Sequence, residues 1–239
     1  MSMTYAQYVG RLTDAIGVLH NDVHLPILIP ATIDYAEQRL YRALDLLTTV
    51  TQDGTGSFTA NNRNFTFPQH FVVVQNINAI SPASTAPDSG TRNPLVPTTK
   101  EVLDTLYPSS TGATLPIFFA MMTDQTIIVG PWPDTTYRVE VIGTVRPTPL
   151  SSSNTTSYLT LYLPDLFMAA SLVFAAEWMG NFGSKPDGAA MSAEWEKETV
   201  SLLASANVEE LRKKWTLGSW SAQAPVPMGA PGSPGGGAM

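Results

Sequence analysis

Few residue combinations in this chain of 239 residues have the chemistry of a catalytic site. The sequence has no cysteine and three histidines, which excludes disulfides, thiol catalysis and cysteine-ligated metals. Asp124, Asp134 and Glu140 are the carboxylates that a hydrolase would pair, because glycosidic hydrolysis needs two carboxyl groups that flank one bond. Their spacing puts no two of them convincingly at one site, so we expect no catalytic residues.

Two short motifs offer weaker alternatives. Asp53-Gly54-Thr55 has the residue types of an aspartic protease loop, but such loops read Asp-Thr-Gly and need two carboxylates that share a proton. His20, Asp22 and His24 are sound metal ligands by residue type. The sequence offers no further ligands for the same ion, and a polar loop between helices explains these residues without one. We therefore predict no metal site and no cofactor.

The charge pattern bears on partners. The chain has 13 basic and 20 acidic residues and a net charge of −7, and its basic residues are scattered. Tight binding to a nucleic-acid duplex needs concentrated Lys and Arg, so we do not expect it. An acidic, weakly charged surface can instead line a channel through which nucleic acid slides without sticking. No secretory n-region or h-region opens the chain, so we expect synthesis in a cytoplasm.

Two helices are predicted near the start. Thr4 and Gln7 form a capping box, and apolar residues then recur at helical spacing to about residue 20. Pro30 is expected to start a second helix that reaches Leu47, with one apolar stripe and a polar side that includes Glu37. Its polar face carries Arg39, Tyr41 and Arg42. This face is either solvated or in contact with a neighbouring copy of the protein.

From Thr48 the sequence predicts β structure. Gly54 and Gly56 favour a tight turn between two strands of a hairpin, and residues 71–80 form a strong strand pattern. Residues 81–97 contain four prolines and predict a long loop. Long exposed loops often carry contacts, and we name as candidate contact residues Asp53, Gly54, Pro87, Asp88 and Arg92.

The remainder of this region predicts a short helix over about 98–107, capped by Thr98 or Thr99, and three further strands. Tyr137, Val139 and Val141 share one strand face. The aromatic residues Trp132, Tyr137 and Phe118 leave a carbohydrate- or receptor-binding module as an alternative, because exposed rings stack on sugars. Aromatic residues within strands also form cross-strand and core pairs.

The chain then turns to a buried helix within Leu161–Phe182. Pro164 suits the first turn, Asn181 and Gly183 can end the helix, and apolar residues cover nearly its whole circumference. The uncharged run between Asp165 and Glu177 is shorter than the about twenty residues that span a bilayer. We therefore predict a core helix and no membrane partner.

A further helix is predicted from about residue 189, followed by a short last helix or a continuation of the same one. Residues 217–239 are rich in Pro and Gly and contain apolar residues, so they form either a docking arm or a frayed tail. The apolar residues that favour an arm are Leu217, Trp220, Val226 and Met228.

We predict an α+β fold. A helical bundle is built from residues 1–48 and 158–216, a mainly antiparallel β module is inserted at 49–157, and residues 217–239 form an extended arm.

Four segments in this layout resemble a known family: Y-A-E-Q-R-L-Y-R-A-L-D-L-L running into strands, V-E-V-I-G-T-V-R-P-T-P-L, L-P-D-L-F-M-A-A-S-L-V-F-A-A-E-W-M and W-E-K-E-T-V-S-L-L. Over roughly residues 1–216 the chain is similar to the head-to-tail adaptor proteins of short-tailed tailed phages, the connector or tail tubular protein A type.

The resemblance implies a structural virion protein, with no enzyme activity, at the head–tail junction. Its partners would be the portal protein, tail nozzle or tail fibre proteins, and copies of itself, in a ring of twelve. DNA would pass through the ring with transient, non-specific contact. Residues from Leu217 onward would reach the portal. Because long exposed loops carry contacts, we ourselves expect the 81–97 loop and the Asp53–Gly56 turn to meet the tail. The Gly-rich end departs from such a docking segment.

Overall fold

The computed structural model describes residues 2–16, 25–181 and 188–218. It has two compact units, Met1–Leu47 with Thr148–Met239 and Thr48–Pro147. The first is helical and the second is mainly β, so the α+β fold class predicted from the sequence is confirmed. None of the helices in the described ranges combines the length and apolarity needed to cross a bilayer.

The helices are α1 (Tyr5–Ile16), α2 (Leu25–Ala43), α3 (Lys100–Leu106), α4 (Tyr158–Tyr162), α5 (Pro164–Asn181) and α6 (Gly188–Gly218), with a 3₁₀ helix at Leu47–Thr49. The strands are β1 (Val50–Asp53), β2 (Ser57–Phe58), β3 (Asn64–Thr66), β4 (Phe71–Ser81), β5 (Thr91–Pro94), β6 (Val96–Pro97), β7 (Phe118–Met121), β8 (Thr126–Gly130) and β9 (Tyr137–Val145).

The first helix begins with the predicted capping box. The Thr4 N–H donates to Gln7 Oε1 at 3.0 Å, and the Gln7 N–H donates to Thr4 Oγ1 at 3.4 Å. Each side chain thereby satisfies a backbone donor that the helix leaves unpaired. The predicted extension of α1 to residue 20 lies outside the described residues.

The second helix does not begin at Pro30, as the sequence predicted, but at Leu25. Pro30 has no backbone N–H, so α2 lacks the one hydrogen bond that residue 30 would donate to the carbonyl of residue 26. The helix continues past this position. The helix ends at Ala43 instead of Leu47, and the chain enters the 3₁₀ helix.

The core of the helical unit is organised on α5, whose bounds agree with the prediction. Leu166, Phe167 and Ala170 are fully buried, and the ring of Phe167 stacks on Tyr8 with 4.5 Å between centroids. The helices α2 and α6 pack against α5. The last predicted segment is a continuation, because α6 runs without interruption from Gly188 to Gly218.

The β unit contains two sheets. One has the strand order β1-β9-β4-β5, with β2 also paired to β9, and the other has the order β3-β8-β7-β6. All pairs are antiparallel except β6 with β7. Tyr137, Val139 and Val141 are buried as the alternation along β9 predicted.

The predicted hairpin around Gly54 and Gly56 is wrong. The strand β1 pairs with residues 141–144 of β9, and β2 pairs with residues 137–138 of the same strand. The two segments therefore follow one another along β9, interrupted at the glycines. A Cβ atom would lie 2.9 Å from Pro87 Cγ at Gly54 and 2.7 Å from Phe65 Cζ at Gly56. Close packing, and not a reversal of the chain, requires glycine here.

The predicted loop over 81–97 is also partly wrong. Only its first half is loop, because β5 pairs with β4 and β6 pairs with β7. Both are edge strands of their sheets. Proline is tolerated at such edges because no neighbour needs its missing N–H, which explains why Pro94 and Pro97 do not prevent strand formation.

Candidate functional site

The structure brings no catalytic constellation together from the sequence candidates. Glu140 is 1% exposed and bound by Arg92, Asp134 accepts from the Tyr137 hydroxyl at 2.8 Å, and Asp124 lies 3.6 Å from His70 at the surface. The three carboxylates are thus engaged in separate pairs.

The sequence also offered three candidate metal ligands. The described residues contain no group of three or more side chains able to hold a metal ion. His20, Asp22 and His24 lie outside the described residues.

The three inter-subunit candidates on α2 differ in exposure. The Arg39 guanidinium donates to both carboxylate oxygens of Glu196 on α6, at 2.6 and 2.5 Å, and this pair holds the pKa of Glu196 below its usual value. Tyr41 is half-buried and packs against the helical core. Arg42 is exposed, and its Nε donates to the Gln38 carbonyl at 2.9 Å. Of the three, Arg42 is the one whose side chain faces solvent.

The tail-contact candidates meet in one place. Asp53 Oδ1 accepts from the Thr55 N–H at 2.8 Å and from its hydroxyl at 2.6 Å, which fixes the backbone after β1. Next to it, Gly54 abuts the ring of Pro87. Two segments that are far apart in the sequence therefore form one surface of the β unit. We call it the Gly54–Pro87 surface.

The base of this surface is held by a buried carboxylate. Arg92 donates to Glu140 through Nε, at 3.1 and 3.0 Å, and through Nη2, at 2.9 Å. Asn78 donates at 2.8 Å, and Gln52 also donates to the same carboxylate. Burial alone would raise the pKa of Glu140, but these hydrogen bonds outweigh it and hold the pKa below the usual value. Arg92 thus anchors the 82–90 loop, and Asp88 Oδ1 lies 3.7 Å from the same Nη2 atom of Arg92 that donates to Glu140.

The aromatic residues of the carbohydrate-binding alternative are engaged within the β unit. Tyr137 is buried, Phe118 stacks on Tyr107, and the Arg63 guanidinium lies 5.7 Å from the Trp132 ring centroid. Each of these three rings thus has a contact or is buried within the β unit.

Sequence reasoning missed a set of exposed apolar side chains on the β unit. Six exposed apolar side chains lie on α3, β6, β7 and their flanks: Val96, Val102, Leu106, Ile117, Met121 and Met122. Leu103 is the buried residue of α3. Val102 and Leu106 are four residues apart and therefore neighbours on the helix surface, and this spacing was the available signal. We call these six residues the α3–β7 surface.

The C-terminal candidates are only partly described. Leu217 belongs to the last turn of α6, so the helix continues to Gly218, beyond the predicted start of the arm. Trp220, Val226 and Met228 lie outside the described residues.

A comparison with known protein families finds a match to this chain. The model of a family described as SU10 adaptor protein matches residues 3–224 of the chain. No curated protein matches it.

Proposed function

The chain belongs to the SU10 adaptor protein family of phage structural proteins, and we propose that it assembles into a ring between the portal and the tail of a virion. The proposed ring has about twelve copies and a central channel for DNA. It forms at the head–tail junction from protein made in the host cytoplasm. The portal protein and the tail nozzle or fibre proteins are its proposed neighbours.

The observation that carries this proposal is that two segments far apart in the sequence meet at the Gly54–Pro87 surface. An adaptor must present a preorganised face to a partner, because ordering a loop during binding costs affinity. Here Asp53 fixes one segment, Arg92 anchors the other through buried Glu140, and Gly54 packs against Pro87. We propose that this surface contacts the tail.

The ring contacts are proposed to use two further surfaces. The α3–β7 surface exposes apolar side chains of the kind that subunit interfaces cover. On the helical unit, Arg42, together with Arg39 and Tyr41 of the same helix, is proposed to face a neighbouring copy. A negative net charge suits a channel that lets DNA slide.

The residues from Leu217 onward are proposed to reach the portal. A chain shortened after Thr216 is expected to fold and to bind portal rings weakly. Unchanged binding would show that these residues serve no docking role.

The central experiment is light scattering of the purified protein, alone and with portal rings. We expect a monomer that becomes ring-sized on the portal. A monomer under both conditions would contradict the proposal and return attention to glycan or receptor binding.

A charge reversal then tests the tail contact. Asp88→Lys alters a side chain that is 95% exposed beside Pro87, and Asp124→Lys is a matched control at 75% exposure in the β7–β8 turn. Asp88→Lys is expected to assemble on the portal and to fail in tail attachment, whereas the control attaches normally. Equal attachment by both variants would exclude the Gly54–Pro87 surface as the tail contact.

A further inference from the structure

Glu210, near the end of α6, is a buried carboxylate that the proposed function does not use. It is 5% exposed. The Leu47 N–H donates to its Oε2 at 3.1 Å, and the Tyr158 hydroxyl and Lys213 Nζ donate to its Oε1 at 3.0 and 2.6 Å. Lys213 also donates to the Tyr158 hydroxyl at 2.6 Å. One side chain thereby joins α6 to α4 and to the chain that leaves the helical unit.

The charge of Glu210 makes this network depend on all of its donors. Burial alone would raise the pKa of Glu210, but the bonds from Lys213, the Leu47 N–H and Tyr158 outweigh it and hold the pKa below its usual value. Glu210 is therefore ionised at neutral pH, and hydrogen bonds to an ionised acceptor are stronger than neutral ones. A buried carboxylate that loses such donors is costly, so the Leu47 N–H is held firmly while α6 is in place.

A second contact links the same part of α6 to the departing chain. Lys214 Nζ forms an ion pair with Asp45, two residues before Leu47. Because α2 ends at Ala43, both contacts reach the chain just after it leaves that helix. We call Asp45–Leu47 the exit segment, since it leads directly into the β unit.

The contacts with the exit segment come from a single turn close to the end of α6 at Gly218. The residues from Leu217 onward, which we propose above to reach the portal, begin less than one helical turn of about 3.6 residues after Lys214. A helix carries a displacement of its end because it behaves as a rigid element. Movement of this end would therefore act directly on Glu210 and Lys214.

We propose that the turn of α6 from Glu210 to Lys214 is a latch on the exit segment. It holds Asp45–Leu47 while the end of α6 is in place, and it releases this segment when that end moves away. The latch is a property of the free protein. Its use in assembly, in which portal binding from Leu217 onward opens the latch, rests on the proposed function.

Two adjacent glutamates provide matched variants. Glu209 and Glu210 both bind Lys213, at 2.9 and 2.6 Å, but of the two it is Glu210 that accepts from the Leu47 N–H. Hydrogen–deuterium exchange of the free protein, followed by mass spectrometry with overlapping peptides, measures local opening at the Leu47 amide. The amide of Phe167, a buried residue of α5, measures global unfolding in the same samples.

We expect Glu210→Ala to accelerate exchange at Leu47 by a factor of about ten or more, because a hydrogen bond to a charged group is lost. Exchange at Phe167 should rise by a smaller factor. Glu209→Ala, at a half-exposed side chain, should change exchange at Leu47 by less than about twofold. Equal effects of the two variants at Leu47, or equal acceleration at Leu47 and Phe167, would overturn the latch.

Two further variants test the latch even if Glu210→Ala does not fold. Glu210→Gln keeps the side-chain volume but offers a neutral acceptor, so we expect an intermediate acceleration at Leu47. Lys214→Ala removes the ion pair with Asp45, whose side chain is 76% exposed, and should accelerate exchange there by a smaller factor. Exchange at wild-type rates in both variants would also overturn the latch.

The use of the latch in assembly is tested by adding portal rings. In the complex, confirmed by light scattering, exchange at Leu47 should accelerate in the wild type and change little further in Glu210→Ala. Wild-type exchange that stays unchanged in the complex would contradict opening by the portal and leave the proposed ring intact. Failure to form any complex would contradict the proposed function, and with it this use of the latch, whereas the result for the free protein would stand.

Discussion

The backbone N–H of Leu150 donates to both carboxylate oxygens of Glu37, at 3.1 and 3.2 Å. Leu150 lies where the chain re-enters the helical unit. Where the chain leaves that unit, the Leu47 N–H donates to Glu210 at 3.1 Å. Both glutamates are buried, so a carboxylate of the helical unit fixes each of the two connections to the β unit.

Glu37 predicts a dependence of stability on pH. Burial raises its pKa from 4.5 to about 7, against the lowering effect of the Leu150 N–H. The folded state therefore binds this proton more tightly than the unfolded state, and the free energy of unfolding falls as pH rises from about 4.5 to about 7. We expect this contribution to be about 3 kcal/mol, measured by urea denaturation at several pH values.

Glu37→Gln should remove that part of the slope, because its side chain does not titrate and its oxygen still accepts from Leu150. Glu198→Gln, at an exposed position on α6, is the control and should retain the slope. A Glu37→Gln profile that follows the wild type would show that Glu37 is charged in the folded protein throughout.

The buried Tyr8 hydroxyl gives a second prediction. It donates to the Phe167 carbonyl at 2.9 Å and lies 2.6 Å from Ser171 Oγ. Tyr8→Phe keeps the stacked ring but leaves two buried groups without this partner, so we expect a loss of about 1–2 kcal/mol of stability. In chemical denaturation, Tyr8→Phe with Ser171→Ala should cost less than the sum of the single variants. Strict additivity would mean that the two hydroxyls do not interact.

Much of the helical unit could be predicted because its signals are local. The start of α5 at Pro164 and the cap formed by Thr4 depend on neighbours within a few residues. The interpretation of Glu37 as a residue of a polar face failed, since its partner Leu150 is 113 residues away. No periodicity in α2 reports such a contact.

The candidate site shows the same division. Exposed polar positions such as Asp88 were recognisable in a Pro-rich stretch. Arg92 was expected to be a contact residue, and Glu140 was considered as a catalytic carboxylate. Their bond to each other depends on the pairing of β5 with β4 and of β4 with β9, which the sequence did not specify. The assignment of Gly54 to a turn failed because glycine there makes room for Pro87.

Substitutions of Arg39 and Arg42 are expected to affect different properties, the first the stability of the monomer and the second the assembly of the ring. Arg39→Ala removes the bond to Glu196 within the chain, and we expect it to lower monomer stability by roughly 1 kcal/mol or less, because both side chains are partly exposed. Arg42→Ala should leave monomer denaturation unchanged and weaken ring formation on the portal. Light scattering measures the latter. If Arg42→Ala assembled normally, this face of α2 would not be a subunit contact.

The contact between Gly54 and Pro87 gives the last prediction. A methyl group at Gly54 would lie 2.9 Å from Pro87 Cγ, so Gly54→Ala should cost about 1–3 kcal/mol through overpacking. Pro87→Ala removes the opposing ring carbon, and the double variant should recover most of that cost in urea denaturation. Gly112→Ala is the control, because its φ of 79° makes alanine unfavourable while no neighbouring atom lies within 4 Å. Its cost should add independently to that of Pro87→Ala. If Gly54→Ala destabilised the protein by the same amount with and without Pro87→Ala, the two segments would not pack together. The proposed tail surface would then have no rigid base.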